Sequence, residues 1–329
     1  MYQTTITERE AGQRLDKYLH RILPNATGGF LYKMLRKKNI TLNDRKADGS
    51  EKIAAGDSVS IYFSEETLSK FMGRGQIPAQ DESAYRAAFH KLSPVTILYE
   101  DEHILLADKP AGVLSQKASG TDLSLNEWLI GYLLENSFLS KEELAVFKPS
   151  VCNRLDRNTS GIVLCAKSLS GAQMLGTLLK ERTLHKFYQL YVKGRIEEER
   201  LIEGYLIKDE RRNKVTVTLE PPEEAGSAEI RTKYRPLRIE KDKTLLEVEL
   251  ITGKSHQIRA HLAGIGHPLL GDYKYGDKAW NETYRRKFGV QYQLLHACKV
   301  VFPPLEAPFE ALSGRIFFCA PPDIFTQVL

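Results

Sequence analysis

The chain has 329 residues, 42% hydrophobic and 27% charged, and its 47 Lys and Arg against 42 Asp and Glu leave a net charge of +5. That balance fits a globular protein of about two domains at ~150 residues each and excludes a wholly disordered chain. No apolar run reaches the ~18 residues that span a bilayer, the first residues (MYQTTITEREAG) carry no leader pattern, and four cysteines without a CxxC pair exclude a zinc ribbon or a disulfide-dense scaffold. The expectation is a cytoplasmic protein with reduced thiols and no membrane partner.

In chain order, Leu15, Tyr18, Leu19 and Ile22 recur at helical spacing behind Gly12. A second helix is predicted over 30–38, with Leu31, Met34 and Leu35 on one stripe and Lys33, Arg36, Lys37 and Lys38 on the wet side. A short strand over 40–43 turns at Asn43-Asp44, and Val59, Ile61 and Phe63 alternate as a strand should. Between residues 33 and 46 six cations (Lys33, Arg36, Lys37, Lys38, Arg45, Lys46) face Asp44 alone, as much net charge as the whole chain carries. A phosphate backbone rewards such clustering by releasing counterions; a solvated helix face is the plain alternative. Residues 64–93 read as a linker, broken by Gly73-Arg74-Gly75 and Pro78, with a short helix near 84–92.

The body is read from residue 94. Short strands are predicted over 96–100 and 103–108, an amphipathic helix over Leu125–Glu135, a buried strand over 161–166 and a helix over 170–182. Strands follow over 186–192 and 244–250, a helix over 256–265 and a last strand over 315–319. Without a regular βαβ rhythm the fold class is α+β.

Several motifs fail. Thr252-Gly253-Lys254-Ser255 is half a phosphate loop, with Val248 where its first glycine belongs, and Gly73-x-Gly75 lacks the third small residue of a dinucleotide site. His256, His261 and His267 do not share a helical face, so packed or capping histidines are the better reading than metal ligands. No cofactor is expected. The strongest local feature is Asn153-Arg154-Leu155-Asp156-Arg157-Asn158-Thr159-Ser160-Gly161 at a strand entrance. Two flanking arginines would keep Asp156 ionised as a nucleophile or base; a surface ion pair at a turn explains the same residues.

Arg154-Leu155-Asp156-Arg157 with Thr159-Ser160-Gly161 resembles the signature of the RluA family of pseudouridine synthases. Ile97 through Gly112 resembles its opening strands, Lys186-Phe187-Tyr188 its Lys-x-Tyr strand, and Thr252 through Leu262 with Gly266-His267-Pro268 and Gly271-Asp272 its C-terminal motif. Residues 1–63 resemble the S-four-type RNA-binding module that precedes the catalytic domain, here 94–329, in many members. The resemblance implies a mixed, mainly antiparallel catalytic sheet, RNA as partner, and isomerisation of uridine to pseudouridine without metal or nucleotide. Within the family the chain most resembles RluC-type enzymes of large-subunit ribosomal RNA; tRNA-directed paralogues share every motif. By position, Asp156 carries over as nucleophile, Tyr188 as the ring stacking on the flipped base and a candidate acceptor of its carbon 5 proton, and Arg259 as the partner of Asp156. Lys109, Arg154 and Arg157 are expected at phosphates, Leu155 and Ile258 in the core, and Lys33, Arg36, Lys37 and Lys38 on an RNA backbone. Asn153 and Asn158 depart from the family's usual His and Asp, and are the support for a non-catalytic RNA-binding factor on the same scaffold. Nothing in the sequence requires more than a monomer.

Overall fold

The computed structural model describes residues 1–329 apart from 9, 73–78, 93, 210–213, 219 and 222–226. Gly73-Arg74-Gly75 and Pro78 therefore lie outside the described residues. The chain forms two compact units, one of Met1–Leu106, Gln116–Asn153 and Leu164–Thr177, the other of Ala107–Ser115, Arg154–Val163 and Leu178–Leu329. Among the described residues no helix is long and apolar enough to cross a membrane.

The first unit opens with strands β1 (Tyr2–Thr5), β2 (Ile40–Leu42), β3 (Arg45–Lys46) and β4 (Ser58–Ile61), an antiparallel sheet ordered β1-β4-β2-β3. Helix α1 (Leu15–Ile22) buries the predicted stripe of Leu15, Tyr18, Leu19 and Ile22. Helix α2 (Gly28–Arg36) starts earlier than its apolar spacing predicts, because the Thr27 hydroxyl accepts the Phe30 amide and supplies the cap. Its Leu31, Met34 and Leu35 are buried, while Lys33, Arg36, Lys37 and Lys38 are exposed. Asn43 and Asp44 both adopt left-handed backbone (φ 51° and 59°), as a tight hairpin turn between β2 and β3 requires.

Segment 64–93 holds more helix than its composition predicts. Helix α3 (Glu65–Phe71) lays Leu68 and Phe71 on the core of the preceding sheet, with the Phe71 and Phe30 rings 4.4 Å apart. Helix α4 (Ala79–Lys91) packs along α5 (Leu125–Glu135), so closely that a Cβ on Gly131 would stand 2.1 Å from the Tyr85 carbonyl oxygen. Helix α5 is not amphipathic as expected. It buries Leu125, Trp128, Leu129, Ile130, Leu133 and Leu134, and even Glu127, whose Oε2 accepts a hydrogen bond from the Ser124 hydroxyl. The reason is that α4 and β7 (Ser150–Val151) both pack on it. Strands β5 (Thr96–Glu100), β6 (Ile104–Lys109) and β8 (Ser160–Ala166), and helices α6 (Lys141–Val146) and α7 (Leu169–Glu181), complete the elements before residue 182. β6, β8 and α7 contribute residues to both units.

The second unit adds β9 (His185–Lys193), β10 (Arg200–Asp209), β11 (Lys214–Thr218), β12 (Ala228–Ile239), β13 (Lys243–Leu250) and β14 (Leu295–Val301). Their order is β11-β10-β12-β13-β9-β14-β8, antiparallel throughout except for the parallel β14–β8 pair. This is the mixed, mainly antiparallel sheet that the resemblance implies. β15 (Ile316–Phe318) pairs with β14, and helices α8 (Gln257–Gly264), α9 (Lys278–Phe288) and α10 (Ile324–Gln327) lie in the same unit. At the β8–β14 contact Gly161 has φ 105°, and a Cβ there would come 2.3 Å from the Ala297 carbonyl oxygen. Glycine is needed at that strand entrance for the chain to pass into β8 from the loop carrying Asp156.

Candidate active site

The loop 154–159 is held by its backbone. The Ser115 hydroxyl donates to the Leu155 carbonyl (3.0 Å) and accepts the Leu155 amide (3.0 Å). The Lys109 ammonium donates to the carbonyls of Pro110 (3.0 Å), Val113 (2.7 Å) and Arg157 (3.1 Å), and the Gly112 amide also reaches Arg157 O (2.9 Å). Lys109 is fully buried, and burial lowers its pKa to about 7 against the opposing charges of Asp156 and Asp108. The expectation that Lys109 meets a phosphate is therefore corrected: all three of its donors are committed to carbonyls, and it braces the loop on either side of Asp156.

Asp156 itself stands half-buried, and its Oδ2 accepts Nη1 of Arg259 from α8 at 2.7 Å. The expectation that Arg154 and Arg157 keep the carboxylate ionised is also corrected. Both are exposed, and among the described residues neither makes an ion pair with Asp156. The counterion comes from 103 positions further along the chain.

Behind Arg259 stands a residue to which the sequence reading gave no role. Asp272 has a fully buried side chain and takes Nε (2.7 Å) and Nη2 (2.9 Å) of Arg259 in a two-pronged contact. Its Oδ1 also accepts the amides of Lys274 (2.9 Å) and Tyr275 (3.0 Å). Burial would raise the Asp272 pKa, but the Arg259 hydrogen bonds and charge hold it below the usual carboxylate value. Burial likewise opposes the charge on Arg259, and the two carboxylates more than offset it. The arginine is thus aimed: two donors fix it from behind and the third faces Asp156. The one sequence signal was Asp272 itself, within the quoted Gly271-Asp272 pair.

Tyr188, on β9 between Val248 and Ala297, lines the same concavity as Asp156, Leu250, His256 and Ile258. Burial, reinforced by the Asp156 charge, pushes its phenol well above the ordinary value, so the ring is a neutral phenol at neutral pH. It can stack on a base; it passes a proton only by giving up its own as it accepts another. Leu155 and Ile258 are buried as expected, and Arg154 and Lys254 stand exposed at the rim. Asn153, one of the two departures, accepts the Leu164 amide through Oδ1 (2.7 Å).

His261 pairs with the Thr232 hydroxyl (3.0 Å) and His267 with the Lys193 carbonyl (2.9 Å). Among the described residues no three His, Cys, Asp or Glu side chains gather as metal ligands. The carboxylate-arginine-carboxylate row, buried at Asp272 and Arg259 and opening at half-buried Asp156 beside an aromatic ring, is equipped for nucleophilic or proton-transfer chemistry.

Residues 103–264 match the sequence profile of a family described as RNA pseudouridylate synthase. The ribosomal large subunit pseudouridine synthase C of Vibrio cholerae is 30% identical over 298 residues, 90% of this chain and 87% of that protein. The protein of the same name from Escherichia coli strain K12 is 29% identical over 306 residues, 90% of this chain and 87% of that one. Among solved structures, human RNA pseudouridylate synthase domain containing 4 aligns with a TM-score of 0.55 at 21% identity, over 76% of this chain and 95% of that chain. At that identity the likeness concerns the fold.

Proposed function

The chain belongs to the RNA pseudouridylate synthase family, and from that premise we propose that Asp156 is its nucleophile and uridine of large-subunit ribosomal RNA its substrate. The target class rests on the names of the relatives; the residue roles rest on the motif resemblance, and the geometry fits them. The observation that carries the reading is the Arg259–Asp156 contact at 2.7 Å with Arg259 braced by buried Asp272. In the net reaction the N1–C1′ bond of uridine breaks and a C5–C1′ bond forms. A proton leaves C5 and one is taken up at N1. Attack at C1′, attack on the ring and an elimination route all use a carboxylate at this position, and the Arg259 contact orients it.

The uridine must first leave its stack, at a cost of a few kcal/mol. Tyr188 offers the buried aromatic face that replaces the lost neighbour. Arg154 and Arg157 are exposed by the Asp156 loop and suit phosphates flanking the flipped nucleotide. Residues 1–63 act as an RNA grip through Lys33, Arg36, Lys37 and Lys38, which lie exposed along and just beyond α2. Such a grip adds avidity to the binding of residues 94–329. The enzyme acts in the cytoplasm, as a monomer.

The test is tritium release from RNA labelled at uracil carbon 5, with no additive. Wild type releases label and Asp156→Asn does not; equal release by both removes Asp156 from the role. A map of pseudouridines in total RNA with and without the gene then reads the target. Losses confined to tRNA would refute the large-subunit assignment and leave the chemistry standing.

A further inference from the structure

His256 lies between β13 and α8 and is the residue before the first turn of α8. Its backbone is left-handed (φ 54°, ψ 16°), a conformation unusual for histidine. Its side chain offers the helix no capping bond and instead enters the concavity that holds Asp156 and Tyr188. Such backbone strain persists where the surroundings hold a side chain in place.

The Tyr275 hydroxyl oxygen accepts the Val215 amide (3.0 Å) and lies 2.8 Å from His256 Nδ1. The amide occupies one acceptor site of that oxygen and leaves the hydroxyl proton free to be donated to Nδ1. In neutral imidazole the proton then sits on Nε2. Nε2 lies 3.9 Å from Asp156 Oδ2, beyond hydrogen-bond range, so its N–H faces the carboxylate across a gap. Burial lowers the imidazole pKa; Asp156 and Asp272 oppose this and Arg259 and Lys274 assist it. The ring is neutral at neutral pH.

We propose that His256 is a substrate-contacting residue: its Nε2–H, held in one tautomer by Tyr275, donates to an acceptor oxygen of the uridine beside the atom that Asp156 engages. This rests on the assignment of the concavity as the uridine site. The donor costs no reorganisation, because its tautomer and position exist before the nucleotide arrives. His256 is a donor and not the base that removes the carbon 5 proton, since its free lone pair is already engaged by Tyr275.

Two substitutions separate this role from a structural one. Glutamine places an N–H where Nε2 stands. Asparagine tolerates left-handed backbone better and reaches Tyr275, but offers no donor at the ε position. In the tritium assay His256→Gln keeps kcat within about threefold of wild type, while His256→Asn loses about 10²-fold, the effect of one preorganised donor. Asparagine equal to or better than glutamine overturns the proposal in favour of a backbone role. A donor persists when imidazole is protonated, so wild type and His256→Gln share the acid limb of their kcat/KM profiles. A limb missing from His256→Gln makes His256 a base and also overturns it. Asp156→Asn is run alongside: its activity would refute the uridine-site reading, whereas an inactive Asp156→Asn beside a fully active His256→Asn refutes this inference alone.

Discussion

Replacing Asp272 by Asn tests the clamp behind Arg259 with almost no change in volume. The carboxylate receives four N–H donors, two from Arg259 and two from backbone amides, and its side chain is fully buried. Asparagine has one acceptor oxygen, and its amide would point N–H toward donors. Breaking a buried ion pair by removing one partner costs about 3–5 kcal/mol. Arg259 keeps Asp156, so the lower end, about 3 kcal/mol, is expected at pH 7. The arginine also loses its aim, and a displacement near 1 Å at a reacting group costs about 10²-fold in turnover. Urea unfolding reads the first effect and kcat for tritium release the second. The pH dependence has a definite sign. The folded Asp272 pKa is below its unfolded value near 3.9. Its contribution is therefore present above that value and is lost as pH falls through the folded pKa. The stability gap between wild type and Asp272→Asn narrows on acidification below about pH 4. An unchanged urea midpoint with unchanged kcat at pH 7 would refute the clamp.

Lys109→Met leaves the Pro110, Val113 and Arg157 carbonyls without their shared donor, costing about 1–3 kcal/mol by urea unfolding. If Lys109 instead touched RNA, stability would hold and only affinity would fall. Alanine at Lys33, Arg36, Lys37 and Lys38 weakens RNA binding and flattens the plot of log Kd against log salt by as much as about 3. A parallel plot, measured by fluorescence anisotropy, would mean that this face does not meet phosphates. Tyr188→Phe keeps the ring and Tyr188→Leu does not, so RNA affinity holds in the first and falls in the second; equal affinities would exclude stacking.

Local features were legible because they depend on neighbours in sequence. The stripes of α1 and α2, the left-handed Asn43-Asp44 turn and the uniformly buried β8 follow from periodicity and turn chemistry within ten residues. Strands β10, β12 and β14 were not read out. In β12 the inward Ile230, Thr232 and Tyr234 do alternate with outward residues, but Thr232 is polar. The outward face is a run of charges paired with a neighbouring strand or the loop leading into it, as in Arg231–Glu203 and Lys233–Glu199. Such a run looks like loop until the partner strand is known.

The site shows the same limit more sharply. Asp156 sits between two arginines in sequence, and nearest-neighbour reasoning assigns them its charge. In a turn, consecutive side chains diverge, and Arg154 and Arg157 face solvent. The cation that does pair with it arrives from α8, fixed in turn by Asp272 from the following loop. A guanidinium has donors enough for two carboxylates, and burial makes each of those contacts stronger than any the flanking arginines could offer in water. A short motif can therefore mark where a carboxylate stands, while its electrostatics are set by residues that only the fold brings near.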